Sequence, residues 1–318
     1  MKILVTGGAG YIGSHVVLAL CECGYEVVVL DDLSSGNREA VDDRAEFIQG
    51  STLNNDNVTT ALNGMDAVIH LAAFKAAGES MTDPGKYSQN NISGTISLLN
   101  AMITHGVDKF IFSSTAAVYG YPKYLPLDEN HPLEPINYYG FTKLEIERIL
   151  KWYGELKGLK FATLRYFNAA GYDPEGRIRF LENNPANLIP IVMEVASGRR
   201  EKMEVFGNNY DTSDGTGVRD YIHVTDLASA HVKALEYLKA NDSITVNLAT
   251  GESHSVLDVI NKTKEISGKN IPYHIVDPRA GDPAELYAGT TLAFDQLNWR
   301  IKHSDLNALI KTTWQVYK

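Results

Sequence analysis

The chain has 318 residues, which suits one large or two medium domains and leaves ample sequence for a buried core. Apolar residues make up 44% and charged residues 21%, as in ordinary globular proteins. The net charge of −10 excludes the broad basic surface that nucleic-acid binding requires, so an anionic ligand has to be held by a few local cationic side chains and by backbone N–H groups.

The first half of the chain alternates short β-rich runs with helical patterns. Runs such as Val27–Leu30 are apolar on both faces, as expected for parallel strands covered by helices on both sides. The predicted strands are Ile3–Thr6, Glu26–Leu30, Glu46–Gln49, Ala67–Leu71, Phe110–Ser113 and Phe161–Phe167, and the predicted helices are Tyr11–Cys21, Pro84–Thr104 and Tyr139–Tyr153. This alternation predicts an α/β fold with a doubly wound parallel sheet.

The regular alternation stops after about Ala169. Residues 171–187 and 207–218 are rich in Gly, Asn, Asp and Pro and are predicted to be loops, which in a compact enzyme usually shape a binding site. Further predicted elements are helices at Leu188–Ser197 and Val256–Ser267 and short strands at Val246–Leu248 and Ile271–Ile275. We expect a Rossmann-like first domain over 1–168, with a return segment near 219–240, and a smaller α/β lobe over 169–318.

The two cysteines, Cys21 and Cys23, lie two residues apart on a predicted helix, so their side chains point to different faces. We expect free thiols in a reducing cytoplasm, and no metal site, because no third cysteine exists to complete one. The apolar run after Lys2 is too short for a signal peptide, and no stretch of 18 apolar residues predicts a membrane span.

The strongest local motif lies at residues 3–13, where Gly7, Gly10 and Gly13 are spaced G-x-x-G-x-x-G between a predicted strand and a predicted helix. Glycines let the chain turn sharply and let a diphosphate approach the backbone, while the helix start supplies free N–H groups and a positive dipole end. In this context the motif predicts a dinucleotide-binding turn that includes Tyr11 and Ile12.

Two acidic residues, Asp31 and Asp32, follow the second predicted strand. Asp31 lies 18 residues after Gly13, the expected reach for an acid that accepts hydrogen bonds from the adenosine ribose hydroxyls. Such a carboxylate repels the 2′-phosphate of NADP. The sequence therefore predicts NAD as the cofactor.

A tyrosine followed four residues later by a lysine places both side chains on one helix face, where the ammonium favours the phenolate form. The pattern occurs at Tyr119/Lys123, Tyr139/Lys143 and Tyr153/Lys157.

The local context favours the second of these pairs. Tyr139 opens a good helical pattern and follows a strand that ends in Ser113-Ser114-Thr115, where a doubly wound protein places its substrate. Tyr119 is followed by Gly120 and Pro122, which do not form a helix, and Tyr153 lies at a predicted fraying helix end. We therefore predict Tyr139 as a proton-transferring base tuned by Lys143.

Together these motifs resemble the extended short-chain dehydrogenase/reductase family, from Lys2 to about Trp299. Within that family, four segments resemble the epimerases that invert C4 of UDP-hexoses: Phe74–Ser80, Leu164–Asn168, Gly207–Tyr210 and Asp214–Val224. The resemblance implies NAD as cofactor, a UDP-sugar bound by the second lobe, a role in galactose metabolism, and a homodimer formed through helices near 84–104 and 139–153.

The resemblance also implies roles for individual residues. On the cofactor side, Lys75 and Tyr166 would lie near the nicotinamide, and Asn90 would also bind the cofactor; Thr115 would hydrogen-bond the sugar O4. The substrate-binding residues implied are Asn168 on the diphosphate or sugar, Asn187 and Leu188 on the nucleotide, Phe206 near the uracil, Arg219 and Arg279 on the two phosphates, Asp282 on the ribose and Leu286 at the wall of the sugar pocket. Two forked guanidiniums can hold a diphosphate even in an acidic protein.

Three positions depart from the family pattern or leave it open. The family commonly has serine where this chain has Thr115, but the hydroxyl is retained. The family often has Asp after Gly50, where this chain has Ser51, which puts an adenine contact in doubt. At the sugar wall, the resemblance implies that a small residue such as Leu286 admits N-acetylated sugars, whereas a bulky tyrosine excludes them. A shift of one residue in the alignment would make Tyr287 the wall and reverse this expectation.

The implied reaction oxidises C4 with NAD, turns the 4-keto sugar over, and reduces it from its other face. A nucleotide-sugar 4,6-dehydratase is an alternative, but it needs an acidic pair where this chain has Ala116 and Ala117. A catalytically silent NAD-sensing regulator is a second alternative, which could dispense with Tyr139, Lys143 and the substrate arginines.

Overall fold

A computed structural model describes residues 1–182, 185–279 and 281–318. Its strands are β1 (Lys2–Thr6), β2 (Glu26–Asp31), β3 (Glu46–Gln49), β4 (Ala67–His70), β5 (Lys109–Thr115), β6 (Lys160–Tyr166), β7 (Asn168–Ala170), β8 (Met203–Phe206), β9 (Val218–Arg219), β10 (Tyr221–His223), β11 (Ile244–Leu248), β12 (His254–Ser255), β13 (Tyr273–Val276) and β14 (Glu285–Leu286).

Eleven α-helices accompany these strands among the described residues. They are α1 (Tyr11–Glu22), α2 (Asn55–Leu62), α3 (Ala77–Thr82), α4 (Pro84–Tyr87), α5 (Gly94–His105), α6 (Tyr138–Lys157), α7 (Leu188–Ala196), α8 (Val224–Leu238), α9 (Val256–Ser267), α10 (Thr291–Leu297) and α11 (Leu306–Tyr317). A π-helical turn, Ser88–Ser93, joins α4 to α5.

Seven strands form a parallel sheet in the order β3-β2-β1-β4-β5-β6-β11. The chain runs from β1 outward to β3 and then returns to β4 on the other side of β1, which confirms the predicted doubly wound, Rossmann-like fold. This reversal opens a crevice beyond the carboxyl ends of β1 and β4, where such folds bind ligands.

Two apolar layers cover the sheet, as the two-sided apolar strands require. One layer packs α1, α8 and α10 against the sheet through residues such as Val16, Leu227 and Trp299. The other packs α2, α5 and α6 through residues such as Leu62 and Leu98.

The second lobe packs around its own apolar cluster. Its members come mainly from α7, α9, α11 and β8, and include Val192, Val205, Val259 and Leu309. Strands outside the main sheet also form two further small sheets, β7–β10 and β12–β9–β14. The smaller α/β lobe was thus correctly expected.

Several boundaries differ from the sequence-based expectations. The helix expected at Pro84–Thr104 is interrupted by the π-helical turn, and the helix expected to fray at Tyr153 continues to Lys157 because Gly158 caps it in the left-handed conformation. The segment near 219–240, which was expected to return to the first domain, contributes α8. The part of the chain that returns also includes β11, because β11 pairs with β6 in the main sheet. A division of the chain into two domains therefore has to assign 244–248 to the first.

The predicted loop 171–187 contains no helix or strand among the described residues, with residues 183 and 184 lying outside them. The predicted loop 207–218 is free of helix and strand up to Gly217, and its last residue, Val218, begins β9. Cys21 is buried, Cys23 is exposed, and both are free thiols. Within the described part of the chain, no helix combines the length and apolarity needed to cross a membrane.

Candidate active site

The glycine turn after β1 is packed so tightly that side chains are excluded. Gly7 adopts φ +75°, and a Cβ there would lie 2.5 Å from the backbone nitrogen of Ala72. A Cβ on Gly13 would lie 2.0 Å from the Gly7 carbonyl oxygen. Gly10 precedes α1 and provides no side-chain cap, so the first N–H groups of α1 remain free for a diphosphate.

Asp31 ends β2 beside this turn. Its carboxylate accepts hydrogen bonds from the backbone N–H groups of Ala9 and Leu33, each at 2.9 Å, and Leu33 has the unusual φ of +60°. Burial raises the pKa of Asp31, and the two N–H donors oppose that rise. The carboxylate therefore couples the glycine turn to the loop that would surround the adenosine ribose.

Opposite this turn, the loop after β4 is fixed by an asparagine on the π-helical turn. Asn91 accepts from the Phe74 N–H at 2.9 Å and donates to the Phe74 carbonyl at 3.0 Å. Its neighbour Asn90 faces the crevice beyond the carboxyl ends of β1 and β4. Lys75 is largely exposed and forms an ion pair with Glu182, which reaches across from the second lobe.

Tyr139, Lys143 and Thr115 meet where β5 ends against the start of α6. Asn137 caps the start of α6, where its side chain accepts from the Gly140 N–H. The Tyr139 N–H donates to Ser80 at 3.0 Å. Lys143 donates through Nζ to the Ser113 carbonyl at 2.7 Å and lies 5.9 Å from the centre of the Tyr139 ring.

Burial dominates the ionisation of this pair. It raises the pKa of Tyr139 to about 12, although a hydrogen bond with Thr115 works in the opposite direction. It lowers the pKa of Lys143 to about 7, with the Glu147 carboxylate opposing the fall. The sequence predicts that Lys143 lowers the pKa of Tyr139. Without a further positive charge beside the pair, desolvation of the phenol outweighs that effect.

The residues around the sheet crevice line a cavity of 310 Å³. Of the residues proposed from the sequence, it gathers Gly7, Gly10, Tyr11, Ile12, Gly13, Asp31, Asp32, Lys75, Asn90, Tyr139, Lys143 and Tyr166. Tyr166 at the end of β6 is held through its hydroxyl by the His231 ring. Thr115, at the end of β5, does not line this cavity, and its hydroxyl accepts from the Ala117 N–H at 3.2 Å.

Ser51 also faces this first cavity, next to Gly50. Its N–H donates to Asn57 at 3.2 Å, and its hydroxyl accepts from the Leu53 N–H at 3.2 Å. The hydroxyl is therefore already used to shape its own turn, which agrees with the doubt about an adenine contact at this position.

A second cavity of 240 Å³ lies in the other lobe. It gathers Asn168, Asn187, Leu188, Phe206, Arg219, Arg279 and Asp282. Arg219 forms an ion pair with Asp282, and the Arg279 guanidinium stacks 3.7 Å above the Phe206 ring centre. Two cationic side chains thus line a cavity in an otherwise acidic protein, as holding a diphosphate requires.

Asp220 connects Asn168, which lines the second cavity, to two neighbouring segments of the chain. Its buried carboxylate accepts hydrogen bonds from the backbone N–H groups of Thr250 and Gly251. Its carbonyl accepts from the side chain of Asn168 at 2.8 Å, and its N–H donates to the Leu286 carbonyl at 3.1 Å. Sequence reasoning included Asp220 in a family motif without giving it this role.

Leu286 lies on β14, directly opposite Arg219 of β9. It packs against the apolar cluster that contains Ala116, which follows Thr115, and Phe167, which follows Tyr166. Tyr287 is the next residue, and its carbonyl accepts from the Leu127 N–H at 3.0 Å. Successive side chains of an extended chain point to opposite faces, so the two residues do not share one position on the wall.

The other two tyrosine–lysine pairs lie elsewhere. Tyr119 is buried and donates to Asn247 at 2.6 Å, while Tyr153 donates to Asn100 on α5 at 2.7 Å. Neither lines the first or second cavity. Both tyrosines therefore bind other parts of the chain outside the two cavities.

Three residues near the site were not singled out from the sequence: Asn91, Glu182 and Glu147. Asn91 is one of several asparagines in a predicted helix, and only the π-helical turn directs it at Phe74. Glu182 lies in a predicted loop 107 residues from Lys75. A carboxylate one turn after Lys143 is a local signal that could have identified Glu147.

Comparisons with known proteins agree with this geometry. Residues 3–249 match the model of the NAD dependent epimerase/dehydratase family. The chain is 46% identical to a UDP-glucose 4-epimerase of Halalkalibacterium halodurans over 100% of this chain and 96% of that one. It is similar to the crystal structure of UDP-glucose 4-epimerase from Brucella ovis in complex with NAD, with a TM-score of 0.97, 42% identity and coverage of 99% and 98%.

A third relative is the UDP-Glc/GlcNAc 4-epimerase from Campylobacter jejuni, whose structure matches with a TM-score of 0.88 and 38% identity, covering 99% of this chain and 98% of that one.

The position of Asp31 generates a testable prediction. Replacing Asp31 by Ala removes an acceptor for ribose hydroxyls and the repulsion of a 2′-phosphate, so we expect weaker retention of NAD and a smaller preference for NAD over NADP. The measurement is the amount of NAD that remains bound on purification, followed by titration with each cofactor. Asp108→Ala, at an exposed site, is the control. Unchanged NAD retention in Asp31→Ala would contradict the assignment.

Proposed function

The chain belongs to the NAD dependent epimerase/dehydratase family, and on this premise we propose that it is an isomerase that inverts C4 of UDP-hexoses, using NAD and passing through a 4-keto sugar. UDP-glucose and UDP-galactose are the proposed substrates, and galactose metabolism is the proposed pathway.

The observation that carries this proposal is the arrangement of the two cavities along β6 and β7. Tyr166 lines the first cavity, and Asn168, two residues later, lines the second. A sugar whose diphosphate is held by the arginines of the second cavity would therefore reach toward Tyr139 in the first. A dinucleotide turn and a diphosphate clamp on either side of one tyrosine suit a nucleotide-sugar substrate better than a small alcohol.

The proposed catalytic residues have distinct roles at the sugar O4. Tyr139 accepts the O4 proton as C4 is oxidised and returns it as C4 is reduced. Thr115 hydrogen-bonds the same oxygen and keeps it directed at the phenol. Lys143, held by the Ser113 carbonyl, supplies the positive charge that favours phenolate.

Three features of the first cavity fit NAD. The tight glycine turn and the free N–H groups of α1 suit a diphosphate close to the backbone. The carboxylate of Asp31 provides an acceptor for ribose hydroxyls and would repel a 2′-phosphate. When bound, this cofactor supplies a reversible two-electron acceptor for C4.

Arg219 and Arg279 keep hold of the diphosphate while the keto sugar turns about it. Because Arg219 is bound to Asp282 in this structure, we expect a diphosphate to compete with that carboxylate and release it toward the ribose.

The alternatives explain the site less well. Dehydration would require acidic groups after Thr115, whereas Ala116 and Ala117 form the 3₁₀ turn there and Ala116 packs in an apolar cluster. An NAD-sensing regulator would have no use for the arginines of the second cavity. Binding of NAD without turnover of any UDP-hexose would favour that second alternative.

We also propose a cytoplasmic homodimer. On α6, Phe141, Trp152 and Leu156 are spaced by 11 and 4 residues, so they share one face, and the last two are 62% and 68% exposed. The neighbouring α5 contacts α6 through the Asn100–Tyr153 hydrogen bond. Exposed apolar side chains on paired helices favour a helical interface between two copies.

The role of Tyr139 can be tested by Tyr139→Phe. This change removes the phenol and leaves the glycine turn intact, so we expect bound NAD to co-purify while kcat for UDP-galactose falls by at least ~10²-fold. Tyr153→Phe, outside both cavities, is the control and should retain full activity. Near-normal turnover of Tyr139→Phe would overturn the assignment.

We propose that substrate breadth depends on Leu286, which packs beside Ala116 and Phe167 but lines neither the first nor the second cavity. Replacing a 2-hydroxyl by an N-acetyl group adds about three heavy atoms, and leucine is about four heavy atoms smaller than tyrosine, so the pocket has room for the larger sugar. We expect the wild type to epimerise UDP-N-acetylglucosamine as well as UDP-glucose, and Leu286→Tyr to lose only the first activity.

The control for this prediction is Tyr287→Leu. If Tyr287 were the wall, this change would widen the range of substrates, and Leu286→Tyr would alter neither activity. Absence of N-acetyl turnover in the wild type would also contradict the assignment of Leu286.

The dimer can be tested by Trp152→Glu. A new carboxylate on the exposed face of α6 would be buried in the interface, so we expect a monomer in light scattering at concentrations where the wild type is a dimer. Lys311→Glu on α11 introduces the same group elsewhere and should stay dimeric. A wild type that is monomeric, or a Trp152→Glu variant that remains dimeric, would exclude this interface.

A further inference from the structure

We propose that the buried carboxylate of Glu147 is a positioning group, which sets the spacing between the strand ends and the helix that carry the reacting side chains. This inference rests on the proposed function, because it concerns the geometry around Tyr139. Glu147 lies on α6 one turn after Lys143 and does not line either cavity.

The first connection runs to β5. Ser113 and Thr115 share one face of this strand, and Ser114 faces the other way, where it is 1% exposed. The Ser114 hydroxyl donates to Oε1 of Glu147 at 2.5 Å. The residue between two proposed site residues is thereby tied to the helix that carries the base.

The second connection runs to β6. Arg165 donates to both carboxylate oxygens of Glu147, from Nε at 3.1 Å and from a terminal nitrogen at 2.7 Å. Such a two-point contact fixes orientation as well as distance. Arg165 lies directly opposite Ser114 in the sheet register, and the next pair in that register is Thr115 opposite Tyr166.

The third connection anchors Arg165 from behind. Its other terminal nitrogen donates to the Tyr119 hydroxyl at 2.9 Å, and that hydroxyl donates to Asn247 of β11 at 2.6 Å. Asn247 pairs with Arg165 in the register of the two strands. One carboxylate therefore links a helix to three adjacent strands at the edge where the chemistry takes place.

Stability alone does not account for this arrangement. Both partners of the Glu147–Arg165 pair are 4% exposed, and apolar residues of similar volume often replace buried ion pairs without loss of stability. What apolar packing does not supply is directional contact, and displacements of about 1 Å at a reacting group can lower a rate by roughly 10²-fold.

The carboxylate also acts on Lys143 electrostatically, since it favours the protonated ammonium. The titratable and charged groups around Lys143 are Tyr139 and Glu147 on α6, His70 on β4, and Arg165 and Tyr166 on β6. Glu147 is the carboxylate of this set, so its neutralisation is expected to make Lys143 lose its proton at a lower pH.

The test compares three variants in the NAD-containing full chain with UDP-galactose as substrate. Ser114→Ala removes one hydrogen bond and should lower kcat by about 3- to 10-fold. Glu147→Gln and the paired change Glu147→Leu/Arg165→Met should lower kcat by about 10- to 100-fold, with KM and retained NAD within about 2-fold of wild type. Thr163→Val is the control, because this buried β6 hydroxyl has no hydrogen-bond partner, and it should remain fully active.

A second readout separates positioning from general loosening and does not depend on turnover. In Glu147→Gln, the pKa of Lys143, followed by NMR of labelled lysine, should fall by about 1 unit, and the high-pH limb of kcat should move down with it. Glu147→Asp, which restores the charge on a shorter side chain, should restore that pKa and only part of kcat.

The outcomes are distinguishable. A wild type that does not epimerise UDP-galactose refutes the proposed function, and the Lys143 titration then still tests the electrostatic part of the inference. Full kcat in the paired variant overturns the positioning role, as does a parallel loss of kcat, substrate binding and NAD. If Glu147→Gln does not fold, Ser114→Ala and the paired variant decide.

Discussion

The site depends on one geometric constraint, the reversal of strand order at β1 and β4. The strands β2 and β3 lie on one side of β1, and the strands β4, β5 and β6 lie on its other side. The loops after β1 and β4 therefore separate and leave a crevice between them. The glycine turn enters this crevice so closely that a Cβ at Gly7 would overlap the backbone at Ala72. The carboxyl ends of β5 and β6 lie along the same edge of the sheet. For this reason Thr115 and Tyr166 lie near the cofactor cavity, although both are far from the glycine turn along the chain.

Much of this arrangement could be predicted because it is encoded locally. The central strands, such as Val27–Leu30, are apolar on both faces, so they have to be covered by helices on both sides of the sheet. The glycine spacing identifies the turn because each glycine meets backbone. Tyr139 is proposed as the base because its helix start follows a strand that ends in hydroxyls. For the substrate lobe the residues alone were less informative, and the arginines there were assigned through resemblance to a family.

What could not be predicted depends on contacts between distant parts of the chain. The ion pair of Lys75 with Glu182 spans 107 residues, and both residues lie in loops without periodic pattern. The pairing of β11 with β6 moved 244–248 into the main sheet, although its short apolar run fitted either lobe. The continuation of α6 to Lys157 was missed because Gly154 suggested an end, whereas the left-handed Gly158 provides the actual one.

The protonation of the site follows from the same burial that shapes it. The walls that exclude water from Tyr139 and Lys143 raise the pKa of the phenol to about 12 and lower that of the ammonium to about 7. Near neutral pH the phenol therefore stays protonated, while Lys143 is divided between its charged and neutral forms. The phenol becomes an effective base when positive charge is added beside it, and a cationic nicotinamide held in the first cavity would supply such charge. Because Glu147 favours the ammonium of Lys143 and fixes the strands at either side, one buried carboxylate supports both the charge and the spacing that this coupling requires.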